Sequence, residues 1–388
     1  MPTQNSQKKW IWQQKNWPDF YWDGDSLAAD LREVTQLQGT LLGKAGTITD
    51  ESNSESNLNA LLQNIVQSSL IEGEALNTES VRSSLAKRLG VKRAGLTQET
   101  AKTEGLVALL LDATQNYDQP LTIERLYQWH RYLFPEQDES QFSLEEVNVG
   151  KLRGDALMQV VSGPHQKRTI HFVAPPLQER TGKGLQEQLD IFLKWLRESK
   201  TDETLDPILR AAQAHLWFVT LHPFDDGNGR LARAIADYTL AQAEHQTIRF
   251  YAMAASIMER RDTYYHVLET TQKGGLDITL WMQWFLGTLK HTLEVALENI
   301  DVVLAKARFW QTHAQDGLSP PQIKVLNRLL DAEPKGFEGG LNAKKYMGIA
   351  GVAKATATRH LTDLLSKKCL VRLEGGGRST RYDINWSG

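Results

Sequence analysis

The chain has 388 residues, 41% of them hydrophobic and 23% charged, with a formal net charge of −3. That length predicts two or three domains, and the balance gives no whole-chain argument for nucleic-acid binding. The single cysteine, Cys369, excludes an internal disulfide framework and fits a reducing compartment. No run approaches a membrane span and the N-terminus lacks the apolar core of a signal peptide, so the expectation is a cytoplasmic protein with no membrane partner.

Residues 1–60 form an N-terminal module rich in tryptophan, with Trp10, Trp12, Trp17 and Trp22 inside "WIWQQKNWPDFYW". Aromatics bury large areas, so this segment is expected to lie across a groove of the main body; a ligand-binding strip is the alternative. A helix is predicted from Ser26 to Gly39, then a polar break at "TITDESNSES", then a helix through "NLNALLQNIVQSSLIEG". "NTESVRSSLAKRLG" reads as a helix capped by Asn77 and stopped by Gly90. "VKRAGLTQETAK" reads as a loop, and "GLVALLLDATQNY" and "TIERLYQWHRYLF" as further helices. "GDALMQVVSGPHQKRTIHFVAPP" alternates apolar and polar residues on both sides of "SGPHQKR", the pattern of a β-hairpin. Helices resume from about 182 to about 314. Residues 301–388 hold a linker helix and a further domain: from Ser319 the texture changes, and three helices, the third being "AKATATRHLTDLLSKKCL", precede strand, glycine turn and strand in "VRLEGGGRSTRYDINW". That order is the winged helix-turn-helix pattern. From Ser319 onward there are 12 Lys and Arg against 6 Asp and Glu, so 12 − 6 = +6 in a chain of net −3.

The densest chemistry lies in "LHPFDDGNGRLAR", Leu221–Arg233, between two amphipathic helices. "GNGRLAR" opens a helix, where unpaired backbone N–H groups favour an anion. Gly227 and Gly229 permit close backbone approach, and Asn228 can donate through its amide. Arg230 and Arg233 are three apart and share a face on which both can meet phosphate oxygens. Asp226 is a hard oxygen ligand beside them, suited to Mg²⁺ on a polyphosphate. His222 can take a proton from an attacking hydroxyl. Together these residues point to transfer of a phosphorus-containing group onto an alcohol.

"HPFDDGNGRLAR" matches the signature of the Fic family, H-x-F-x-[D/E]-G-N-G-R-x-x-R, at every defined position. The resemblance implies a mainly α fold: a Fic helical bundle over about residues 61–300 with a β-hairpin flap, plus the C-terminal winged helix-turn-helix domain. It also implies a protein adenylyltransferase that moves AMP from ATP to a Ser, Thr or Tyr hydroxyl of a target protein, or of the chain itself. His222 would be the general base and Asp226 would hold Mg²⁺. Gly227, Asn228, Gly229 and Arg230 would form the anion hole, Arg233 would grip the γ-phosphate, and Phe224 would anchor the loop. The hairpin resembles the family's flap, whose Arg168, Thr169, Ile170 and His171 would align the target by strand addition.

"SSLIEGE" answers the spare arginine. Ser68 and Glu72 lie four apart on one helical face, and Gly73 can end the helix. This resembles the family's inhibitory helix, [S/T]-x-x-x-E-[G/N], here within about 61–73, in which Glu72 would pair with Arg233 and hold the enzyme off. Restraint and removal of AMP are not separated by the sequence, and the loop's phosphate logic does not read the nucleotide base. A rival reading is a transcription regulator that uses the Fic body as a nucleotide sensor.

In the tail, Lys354, Thr356, Thr358 and Arg359 open the expected recognition helix, with Arg378 and Arg381 flanking the wing, as DNA contacts. A protein-protein or homodimer module is the alternative. His215 reads as a packed helix histidine or as support for His222. His165 and His171 fit no zinc spacing, and Cys369 reads as a buried structural thiol.

Overall fold

The computed structural model describes residues 10–47, 50–91, 98–135, 147–162, 168–178, 184–247, 249–332, 336–373 and 380–386. The chain divides into two compact units, Met1–Gly43 with Thr49–Glu294, and Lys44–Ile48 with Val295–Gly388. Among the described residues, no helix is long and apolar enough to cross a membrane.

In the first unit a 3-10 turn, Ile11–Gln13, precedes α1 (Gly24–Ala45), α2 (Asp50–Ile71), α3 (Thr78–Leu89), α4 (Ala101–Gln115) and α5 (Ile123–Leu133). The hairpin follows as β1 (Gln159–Ser162) and β2 (Thr169–Val173), then α6 (Leu185–Glu198), α7 (Pro207–Leu221), α8 (Asn228–Glu244), α9 (Met253–Glu259), α10 (Arg261–Gln272) and α11 (Thr279–Thr312), whose residues from Val295 onward belong to the second unit. α7 is buried at every position from Ile208 to Leu221, the mark of a helix enclosed on all sides, and it packs against α8. Its start is fixed by Pro207 and by Asp206, whose carboxylate accepts from the Ile208 and Leu209 N–H groups.

Several helix boundaries differ from those the sequence predicts, α4 among them, which starts at Ala101 inside the predicted loop. α1 runs through Gly39 and Gly43 to Ala45, because Leu41 and Ala45 extend the buried stripe begun by Leu27 and Val34. α2 begins at Asp50, inside the predicted polar break. Acidic residue types suit a helix's positive end, and the apolar stripe only starts at Leu58. Asn77 and left-handed Gly90 bound α3 as expected. Residues 163–167, with His165, lie outside the described residues.

The tryptophan segment is packed. Trp12 and Trp17 are buried; the Trp12 indole donates to Val173 O at 2.7 Å and that of Trp17 to Gln188 Oε1 at 2.5 Å. Trp17 and Phe20 meet the Trp217 ring of α7 edge-on. The N-terminal segment therefore staples the base of the hairpin and α6 to the central helix.

The second unit holds α12 (Pro320–Leu330), α13 (Ala343–Ala350), α14 (Lys354–Ser366) and the antiparallel strands β3 (Leu370–Arg372) and β4 (Tyr382–Ile384). They share a core of Val325, Leu329, Tyr346, Leu361, Leu364 and Ile384. Left-handed Gly351 ends α13, three residues before α14. α14 stops at Ser366, not at the predicted Leu370: Lys368 turns to φ 57° and the chain enters β3.

Candidate active site

The site forms where α7 stops and α8 starts. His222 is the C-cap of α7 in the left-handed region, φ 50°, a conformation that turns the chain sharply out of the helix. Phe224 is fully buried and stacks on His130 of α5 at 4.2 Å. Asn228 closes the loop. Its side-chain oxygen accepts from Phe224 N at 3.0 Å and its amide nitrogen donates to Phe224 O at 2.8 Å. This corrects the expectation that the Asn228 amide faces a phosphate: the side chain is buried and committed to the loop, leaving its backbone N–H for that purpose.

Gly227 sits at φ 80° as the N-cap of α8 and offers no side-chain oxygen, so the first N–H groups of the helix have no cap from it. A Cβ on Gly227 would lie 2.8 Å from Leu133 Cδ1, and one on Gly229 would collide with Glu72 Oε1. Gly227 is required by its left-handed backbone, whereas at Gly229 a Cβ would press on the Glu72 carboxylate. Asp225 and Asp226 have different tasks. Asp225 accepts from the Asn148 N–H at 2.9 Å and side-chain amide at 2.8 Å. The Asp226 carboxylate is 61% exposed and stands 3.8 Å from Arg230, with room to receive a cation.

His222 lines a cleft of about 730 Å³ with Glu72, Asp226, Gly229, Tyr265 and the whole of β1. Its Nδ1 lies 3.2 Å from Val219 O. A carbonyl only accepts, so Nδ1 carries the hydrogen and Nε2 keeps its lone pair. Burial, with Arg153 nearby, pushes the imidazole pKa down to about 4 despite the Val219 hydrogen bond. The ring is thus neutral near pH 7 and able to accept a proton. His215, two turns earlier, is buried, 3.1 Å from Tyr264 OH and against Trp281; burial holds its pKa at about 3. It is a packed core histidine.

The structure brings Ser68, Glu72 and Arg233 together. The Arg233 guanidinium donates to Ser68 Oγ and Ser68 O, each at 2.9 Å, and to Glu72 Oε1 at 2.8 Å. Burial alone would raise the Glu72 carboxyl, but Arg233's charge and hydrogen bond more than offset it, so its pKa falls below the usual value. The local reason for the pose is a Schellman turn: Gly73 N donates to Leu70 O at 2.9 Å and Glu74 N to Ser69 O at 3.0 Å, with Gly73 at φ 81°. Glycine at 73 is what the left-handed position demands. Arg261 and Tyr265 of α10 bond to Ile71 O at 2.7 and 3.4 Å and brace the same helix end.

In the hairpin, Gln159 pairs with Val173 and Ser162 with Thr169, with a register shift between Val160 and Val161. Arg168, Thr169 and Ile170 are exposed. His171 is not free to dock a target through its ring: Nδ1 donates to Glu269 at 2.7 Å and Nε2 lies 2.6 Å from Ser162 Oγ. It anchors the hairpin to α10.

Several site residues leave no mark in the sequence. Arg153, 2% exposed, donates to His222 O at 2.8 Å and to Pro175 O, joining the histidine's backbone to the end of the hairpin. Its own N–H donates to Pro223 O at 3.0 Å. His130 accepts from Gly150 N at 2.9 Å, which leaves its Nε2–H for Asp226 O at 3.2 Å. Their distances along the chain give no periodicity to detect. Glu74, which bonds Arg230 at 3.0 Å, was open to detection as the second acid of "EGE".

The Fic/DOC family model matches residues 120–240. The chain carries a Fic domain. A domain of unknown function (DUF4172) matches residues 10–91, ahead of the Fic domain and including Glu72. Among curated proteins the chain is similar to Protein adenylyltransferase Fic of Drosophila yakuba, 27% identical over 240 residues, covering 61% of this chain and 42% of that protein. The namesake of Drosophila grimshawi is 25% identical over 282 residues, covering 72% and 52%. The chain thus spans about half the length of these relatives. The fold is similar to a Fic family protein from Desulfovibrio desulfuricans G20, with TM-score 0.51 and 18% identity over 95% of this chain and 98% of that one. A Fic domain containing signaling protein from Bacteroides thetaiotaomicron VPI-5482 gives TM-score 0.50 and 17% identity over 69% and 97%.

In the second unit Lys354, Thr358 and Arg359 are exposed and Thr356 is half-buried on the first turns of α14; Arg381 is exposed at β4. Arg378 lies outside the described residues. Cys369 is buried, and burial pushes its thiol up to about 11. It lies 3.5 Å from His313 Nδ1, a nitrogen already bonded to Asp316 at 2.7 Å.

Proposed function

We propose that the protein transfers AMP from ATP to a hydroxyl of a target protein, with release of pyrophosphate. The observation that carries this is a neutral His222, its Nε2 without a partner among the described residues, lining a cleft with the uncapped start of α8. In the reaction Nε2 takes the proton of the target hydroxyl, the oxygen attacks the α-phosphorus, and the bond to the pyrophosphate oxygen breaks. The N–H groups of Asn228 and Gly229, with Arg230, receive the developing charge, while the Gly227 N–H donates to Asp226 Oδ1 at 2.5 Å. The exposed Asp226 carboxylate is an oxygen donor suited to Mg²⁺, which when bound neutralises phosphate charge. ATP as donor is supported by the names of the curated relatives, since nothing in the loop reads a base.

Glu72 restrains this activity. Its carboxylate holds the Arg233 donor that a terminal phosphate needs and fills the space beside Gly229. The test uses ATP labelled on the α-phosphate with the full chain, Glu72→Gly and Glu72→Gly/His222→Ala. Label should rise in the first variant and vanish in the second. Equal labelling of wild type and Glu72→Gly removes the restraint, and label that survives His222→Ala removes the base.

For the second unit the reading is a winged helix-turn-helix that binds DNA. It is supported by three helices followed by an antiparallel ribbon, with exposed Lys354, Thr358 and Arg359 at the start of the third. Its excess of 12 − 6 = +6 from Ser319 onward suits a phosphate backbone. Gel shifts against random duplexes at graded salt test it; no retardation at low salt leaves a protein-protein module in its place.

A further inference from the structure

The "EGE" turn presents two carboxylates to α8. Glu72 and Glu74 flank left-handed Gly73, and Arg230 and Arg233 are three apart on one face of the helix. Each acid takes one arginine, Glu72–Arg233 at 2.8 Å and Glu74–Arg230 at 3.0 Å. A third cation joins them. Lys102, the second residue of α4, places its ammonium on the other oxygen of Glu74. Burial and the charge of Arg230 lower the Lys102 pKa and Asp226 partly offsets them, so the ammonium feels both charges of the loop.

The donors around this turn are not exhausted. Arg230 is 8% exposed and packs over the Phe134 ring, yet among the described residues its Nε has no hydrogen-bond partner, nor has Arg233 Nη1. Buried donors without acceptors are costly, and oxygens of a ligand would satisfy them. Both arginines line the same small cavity, with Ser68 and Asn64. Three cations, Lys102, Arg230 and Arg233, therefore stand against two glutamates of one short turn, and two buried N–H groups remain open.

We propose that Lys102 and Arg230 form a further phosphate-binding pair beside Arg233, and that Glu74 is the group a triphosphate must displace to reach it. The proposal rests on the nucleotide reading of the loop given above. It assigns to Lys102 a ligand class, the β- or γ-phosphate of a nucleoside triphosphate, and to Glu74 a masking role separate from that of Glu72. A monophosphate lacks the groups that would reach this pair, so the pair distinguishes triphosphate from monophosphate.

The test is calorimetric titration of the full chain carrying Glu72→Gly with ATP, AMP and inorganic tripolyphosphate at fixed salt. Adding Glu74→Gln should tighten ATP and tripolyphosphate about tenfold and leave AMP unchanged. Adding Lys102→Gln to that protein should reverse the gain, and Lys102→Arg should keep it. Melting temperature is read on every variant. The proposal is overturned if Lys102→Gln leaves triphosphate affinity intact, or if Glu74→Gln weakens binding while lowering the melting temperature, which would make Glu74 a mere support for Arg230. Binding is read without turnover, so the two readings fail separately. The expected affinity pattern with no transfer of label sinks AMP transfer alone, normal transfer with an unchanged affinity pattern sinks the Lys102 pair alone, and no triphosphate binding by any variant sinks both.

Discussion

α8 and α14 both carry cations near their N-termini, and they differ in what surrounds those cations. On α8, Arg230 and Arg233 are 8% and 4% exposed, and each is fixed by a carboxylate from a segment more than 150 residues away. On α14, Lys354 and Arg359 are exposed, and the neighbouring Thr358 hydroxyl donates back to Lys354 O at 3.0 Å. A buried cation is committed to an anion at one distance and in one direction, and its removal is felt as lost chemistry. An exposed cation contributes a screened field to whatever anion approaches. The first arrangement suits a small ligand held in a fixed pose; the second suits a long polyanion.

That contrast can be broken at several points. The largest effect is expected at His222: in the Glu72→Gly background, His222→Ala should cut labelling about 10²–10⁴-fold, the usual contribution of a general base, with no loss of fold by circular dichroism. Next is Glu72→Gly itself. A hydrogen bond to a charged group contributes about 1.5–3 kcal/mol, so freeing Arg233 should raise AMP transfer about 10–100-fold over wild type in an α-label assay. The pH profile follows. With His222 held at about 4 and the raising charge of Glu72 removed, the acid limb of kcat/KM in Glu72→Gly should lie at or below pH 4; a limb at the ordinary histidine value of about 6.5 would mean the ring is solvated.

Stability should respond in the same sense. His222 titrates lower in the folded chain than in the unfolded one, so the unfolded chain binds the extra proton first and stability is lost as pH falls from about 6.5 toward 4. Glu72, also depressed, contributes above the ordinary carboxylate value and loses that contribution as pH falls through its folded one. The clasp therefore stays shut across neutral pH, and a melting curve that rose on acidification would contradict both groups. The smallest effect is expected on α14: Arg359→Gln should reduce the salt slope of DNA binding by about 1 and leave AMP transfer unchanged. A change in transfer there would erase the distinction between the two helices.

Much of the site was legible because it is contiguous. Helix, histidine, glycine-rich turn and paired arginines follow one another over Leu221–Arg233, and local spacing alone places them at a helix start. The hairpin was legible from its alternation, and α3 from Asn77 and Gly90. The start of α2 was not, because a polar first turn looks like a loop until its far end is seen to be buried. The role of Asn228 was also misread, since a phosphate donor and a loop staple require the same residue type and only the Phe224 backbone distinguishes them.

By itself the sequence determined which chemical groups stand at the start of α8 and that an acid at a helix end four residues past Ser68 was available to answer an arginine. Only the tertiary structure decided which groups hold them. Arg153 reaches His222 across 69 positions, His130 reaches Asp226 across 96, and Glu74 reaches Arg230 across 156. No period of the chain encodes such separations. They are fixed by the packing of α7 on α8 and by the buried asparagines Asn57 and Asn64, whose bonds to Arg249, Asp237 and Ala254 set the position of α2.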